Sequence, residues 1–157
     1  MFAPKRLRDI CIIKNTQVEY KLYIAESFLR IFAGILFFFQ GYDKLFKIKM
    51  PGVIDTFMGD AYRHHVSRPF VAIIAYYTSI VELVGGALLV FGLFTNYALY
   101  ALGLDLVLVC FAFSFIEPMW DMKHVFPRFM LVILLLILPM ENHKLSLDFL
   151  INHLNLK

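Results

Sequence analysis

FVAIIAYYTSIVELVGGALLVFG, residues 70–92, is an apolar run whose one charge is Glu82. A membrane crossing takes about 20 such residues, so this stretch reads as a transmembrane helix. After it come only Leu93-Phe94-Thr95-Asn96 before a second apolar run at 97–116. A four-residue connection makes these two helices antiparallel neighbours. Outward from the pair lie two more runs, at 22–46 and 120–140, which complete four expected spans. The last one leans on Pro127. From there to Met140 the chain reaches only about 21 Å, so crossing requires residues 120–126 to be helical too, with a kink at Pro127 that frees the Lys123 carbonyl.

Composition agrees with a lipid-facing surface. The 157 residues are 61% apolar and 17% aromatic, including 17 Phe, and only 17% charged. A soluble domain carries about a quarter charged residues. With four spans in this length there is no room for a separate soluble catalytic domain. Eight Gly, six Pro and two Cys, Cys11 and Cys110, exclude a collagen-like repeat, a disordered chain and a disulfide-stapled secreted domain. The net charge of +3 does not indicate nucleic acid, because the cations flank apolar runs as membrane topology requires.

Residues 1–21 hold Lys5, Arg6, Arg8, Lys14 and Lys21 with no apolar run long enough for a cleavable signal. They read either as a short interfacial helix or as an unstructured basic flank. Between the first two spans lies the one sizeable loop, with Pro51-Gly52, Phe57-Met58 and Tyr62-Arg63-His64-His65. Its apolar spacing indicates a short helix on the membrane, or a cap over the bundle mouth. In the tail, 141–157, Leu147, Leu150, Ile151 and Leu154 share one helical face behind Ser146 as N-cap. Seven cations on the terminal side face six opposite, and the strongly basic first flank favours cytoplasmic termini.

The ionisable residues inside the spans carry most of the information. Arg30, Glu82, Asp105 and Arg128 lie within the apolar runs, with Glu26, Asp43 and Lys44 nearer their ends. A charge at a helix centre costs about 2.5–3.5 kcal/mol on insertion scales, so pairing is expected. Span centring places Glu82 and Asp105 near the midplane, Arg30 roughly 6 Å to one side and Arg128 roughly 4–5 Å to the other. One neutral network of these four, each from a different helix, is the expectation, with Glu26 extending it and Gln40 and Lys44 as further candidates for the polar or ligand-binding set. Such a network either fixes helix register or lines a polar cavity for a head group or a proton. Gly34 and Gly41 on one span, and Gly85-Gly86 on the next, allow helices to approach closely, or allow a ligand against exposed backbone.

These residues resemble the DoxX family of small four-helix bacterial membrane proteins. The pattern comprises Arg30, Gly34, Phe37, Gly41 and Lys44 on the first span, Glu82-Leu-Val-Gly85-Gly86 with Gly92-Leu-Phe-Thr95 on the second, an arginine at 128, and Ser146-Leu147-Asp148. The likeness covers roughly residues 25–150. It implies a bacterial inner-membrane bundle associated with redox systems: thiosulfate oxidation delivering electrons to quinone, membrane oxidoreductase complexes, or thiol-disulfide chemistry in the envelope.

Direct dithiol chemistry is not expected, because the two cysteines lie at different depths. No histidine lies inside a span to ligate haem, and no glycine-rich strand-turn-helix offers a dinucleotide site. A loop metal site on Asp60, His64 and His65 is a weaker option than simple solvation. A quinone or lipid head group is better served, by Arg30, Gln40 and Glu82 beside Phe37, Phe38, Phe39, Tyr76 and Tyr77. The expected protein is therefore an all-α, non-catalytic subunit of a membrane assembly, with other membrane subunits and the bilayer as partners. Its alternatives are an accessory subunit of an envelope transport or motor complex, or a proton-pathway protein.

Overall fold

The computed structural model describes residues 5–61, 67–116, 125–138 and 146–155. Helix α1 (Lys5–Tyr42) continues into a π-helical turn, Asp43–Lys47, closed by the Ile48 N–H donating to the Asp43 carbonyl at 2.9 Å. The basic flank is not a separate element: no Gly or Pro interrupts residues 5–33, so flank and span form one helix. Lys49, at φ 62°, turns the chain into α2 (Lys49–Ala61). Met50, Val53 and Met58 of α2 are buried, and they pack with Ala75 and Val71 near the start of α3 (Arg68–Phe91). Thus the loop forms a helix folded back on the end of the bundle.

Helix α3 begins after extended Ser67, with Pro69 in its first turn, where a missing N–H is tolerated. It ends at Gly92, whose φ of 66° is left-handed and closes the helix through bonds to the Leu88 and Leu89 carbonyls. Helix α4 (Thr95–Ile116) follows at once. Helix α5 (Val125–Ile137) has Pro127 in its first turn, and α6 (Leu147–Asn155) forms the tail. The expected break at Lys123 lies outside the described residues. So do Trp120, His64, His65, His124 and His143.

Val18–Lys47, Arg68–Phe91 and Thr95–Ala112 are long and apolar enough to cross a membrane, and Val125–Ile137 is a shorter apolar helix. The protein is therefore an all-α, multi-pass membrane protein. The three long apolar helices and the shorter α5 make a closed ring: α1 packs on α3, α3 on α4, α4 on α5, and α5 returns to α1. Phe28, Ile73, Leu104, Phe111 and Ile137 are all more than 65% exposed on the outside, a surface suited to lipid. Inside, Phe37, Leu89, Leu99, Leu102, Val132 and Leu135 fill the core.

Candidate functional site

Glycine sets the register that positions every charge. A Cβ on Gly34 would lie 2.8 Å from the Val90 nitrogen, and one on Gly41 2.7 Å from the Ser79 carbonyl oxygen. Gly86 sits equally close to the backbone of Gly34 and Phe38. Helices α1 and α3 thus meet backbone to backbone, antiparallel, with no space for a side chain between them. Gly85 differs, since its neighbour is the Leu102 side chain of α4.

This register divides the intramembrane charges into two layers, where span centring predicts one network. The first layer lies at the α3–α4 turn. Arg30 Nε donates to Glu26 Oε1 at 3.0 Å and Nη1 to the Leu89 carbonyl at 2.8 Å, with both side chains almost wholly buried. The guanidinium lies against Gly92, where a Cβ would come within 2.5 Å of Nη1. Across the same turn, Asp148 of α6 accepts from the Phe94 N–H (2.9 Å) and the Thr95 N–H (3.1 Å). Its own N–H donates to the Gly92 carbonyl at 3.0 Å. Asp148 therefore caps a helix other than its own, a role the sequence pattern did not indicate.

Above this layer the interior is apolar, with Ala33, Phe37, Leu89, Leu99, Leu102 and Leu135 at 0–1% exposure. The second layer follows. Glu82 and Asp105 each lie ten residues from the Gly92–Thr95 turn, roughly 15 Å along their helices and hence level with one another. Glu82 is paired, but not with Arg30: Lys44 Nζ donates to Glu82 Oε2 at 2.6 Å. The Lys44 stem lies in the π-helical turn, which directs a residue expected near the helix end back into the bundle. Arg128 on α5 acts on Glu82 beyond ion-pair distance. The hydroxyls of Thr78 and Ser79 both donate to the Ala75 carbonyl, at 3.2 and 2.7 Å.

Asp105 stands apart. It is 0% exposed, and among the described residues neither carboxylate oxygen has a hydrogen-bond partner. Gln40 Oε1, one turn before Lys44, is also buried without a partner. Of the aromatics expected around a head group, Phe37 is fully buried, whereas Phe39, Tyr76 and Tyr77 are 43–55% exposed and face outward. Phe38 stacks on Tyr42 along α1. Phe37 is thus the one of these aromatics in the buried core, which it shares with Leu102, Leu106 and Val132. Among the described residues no group of three His, Cys, Asp or Glu converges as a metal site.

Compared with known protein families, residues 25–115 match DoxX. The chain belongs to the DoxX family. The match takes in Arg30, Gly34, Gly41, Lys44, Glu82, Gly85, Gly86 and Asp105, and stops short of Arg128 and Asp148. No curated protein and no solved structure matches the chain.

Proposed function

We propose that this DoxX protein is a small, non-catalytic subunit of a quinone-linked redox assembly in a bacterial inner membrane. Its Lys44–Glu82–Asp105 layer receives the head group of a quinone or lipid. With the termini cytoplasmic, the Arg30 layer lies at the cytoplasmic border and the α2 end lies opposite. The observation supporting this reading is Asp105. A buried polar group without a partner costs about 1–3 kcal/mol, and a carboxylate costs more, so a fold retains one where it has work to do. Lys44 is already engaged with Glu82, which leaves the Asp105 carboxyl without a partner among the described residues and able to pair with a guest from outside the chain.

The same geometry weighs against a proton pathway, because the apolar layer around Phe37, Leu99 and Leu102 separates the two charged layers among the described residues. Purification from native membranes in mild detergent, with mass spectrometry of what accompanies the chain, tests the assembly. A redox enzyme that loses electron delivery to quinone when Asp105→Asn replaces the wild type is the expected outcome. Recovery of transport or motor proteins alone, or electron delivery indifferent to Asp105→Asn, would overturn it in favour of a scaffold.

A further inference from the structure

Helix α1 is longer than the bundle it belongs to. Its 38 residues extend about 57 Å, against about 36 Å for the 24 residues of α3. Gly34 meets Val90, and Gly41 meets Ser79 and Leu83, which sets Arg30 level with Gly92 at the end of α3. Everything before Arg30 therefore runs past the α3–α4 turn. Residues 70–92 already fill a hydrocarbon core of about 30 Å, and each head-group layer adds only about 5–7 Å. Ile24 lies roughly 9 Å beyond Arg30 along the axis and Tyr20 roughly 15 Å, so both stand outside the bilayer. No Gly or Pro interrupts residues 5–33, which leaves the helix no point at which to fold down onto the membrane surface.

The arm so formed carries an apolar side. Tyr20, Ile24 and Phe28 are 64%, 50% and 70% exposed at successive turns. They continue the exposed stripe of Ile31, Ile35 and Tyr42 along one side of α1, within about 80°. Beside the bundle that stripe meets lipid, whereas beyond Phe28 it would meet water. Lys21 borders it, and residues 5–21 hold five cations against two anions. A second copy in the same membrane would set two basic arms side by side, and opposed like charges disfavour that pairing.

We propose that the arm is a docking helix for a partner subunit. It receives a transmembrane helix that runs beside α1, continues past the level of Gly92 and carries acidic residues there. The proposal rests on the reading of this chain as a subunit of a membrane assembly, and it is independent of any ligand at Asp105.

Photo-crosslinking of the full chain in its native membranes tests it, with Tyr20, Ile24 and Leu22 replaced singly by benzoylphenylalanine. Leu22, on the far side of the arm, is the control. Adducts from Tyr20 and Ile24 but not Leu22 are expected, with one protein, through a peptide of net negative charge adjoining an apolar run of about 20 residues. Lys14→Glu combined with Lys21→Glu should lower the yield about threefold to tenfold. High salt should lower it with both lysines intact, so a folding defect in the charge variant leaves the test standing. Adducts with a second copy, with lipid or with a neutral or basic peptide would overturn the proposal, as would equal adducts from Leu22 or a yield indifferent to salt. If no adduct forms while other subunits still co-purify, the arm is not the docking helix and the assembly reading stands. If nothing co-purifies either, both fail.

Discussion

Replacing Gly86 with Ala tests the α1–α3 contact on which both charged layers depend. The new Cβ would lie 2.8 Å from the Gly34 carbonyl oxygen and from Phe38 Cα, both backbone atoms of α1. Ordinary contact begins at about 3.5–4.0 Å and the Phe38 backbone nitrogen lies closer still, so the helices must separate by more than roughly 0.7–1.2 Å. A backbone cannot rotate aside as a side chain can, and overpacking of this kind costs about 1–3 kcal/mol. Ala also raises helix propensity by up to about 1 kcal/mol, which would mask part of the loss. Gly103→Ala supplies the control: it gives the same propensity gain on α4, but its Cβ meets only Val132 Cγ1, at 3.6 Å. The difference between the two variants isolates the packing cost. At about 2–4 °C per kcal/mol for a chain of this size, Gly86→Ala should melt roughly 2–12 °C below Gly103→Ala in the same detergent. Equal melting temperatures would refute the backbone contact and, with it, the register that assigns Lys44 rather than Arg30 to Glu82.

The remaining predictions concern the two charged layers. Lys44→Met leaves Glu82 buried and unpaired, so a loss of about 3–5 kcal/mol is expected in a denaturation series. In a double-mutant cycle with Glu82→Gln, the second substitution should cost much less than it does alone, and additive losses would deny the pair. Asp148→Ala removes the acceptor for the Phe94 and Thr95 N–H groups, with an expected cost of about 1 kcal/mol. Hydrogen exchange should accelerate at the start of α4 and throughout α6, while exchange confined to α6 would mean that the cap does not hold the turn. Arg30→Lys retains the charge but not the fork that bridges Glu26 and the Leu89 carbonyl. A drop in thermal stability with no change at the Lys44–Glu82 pair is expected, since the layers are separate.

Much of this was legible in the residues. Apolar runs located the helices, and Gly34, Gly41 and Gly86 stood at the spacing that close packing uses. Charges in lipid-facing runs marked the positions needing partners. Choosing the partners was another matter, because centring each span on the bilayer placed Arg30 within reach of Glu82. Depth is set instead by the contacts of Gly34 and Gly41 with α3, which carry Arg30 down to Leu89 and Gly92. Lys44 is legible as a candidate for the polar network, but its pairing with Glu82 is not, because the π-helical turn at Asp43–Lys47 from which it reaches inward leaves no signature in the residue pattern. Asp148 lies 54 residues from the N–H group of Phe94, and no periodicity reports a cap supplied from so far along the chain. The outward placement of Tyr76 and Tyr77 likewise follows from Thr78, Ser79 and Glu82 taking the inner face of α3.

The site at Asp105 is tested most directly by the melting temperature of Asp105→Asn, measured beside wild type in phosphatidylcholine nanodiscs with and without short-tailed ubiquinol. A carboxylate held for a guest is a burden on the empty fold, and an amide of the same shape has no charge to desolvate and none for Glu82 to repel. Without ligand, Asp105→Asn is expected to melt at or above the wild-type temperature. With ubiquinol, only the wild type should rise. A variant that melts well below wild type in both conditions, with no ligand-dependent rise in either protein, would show that Asp105 serves the fold and that the second layer is not a site.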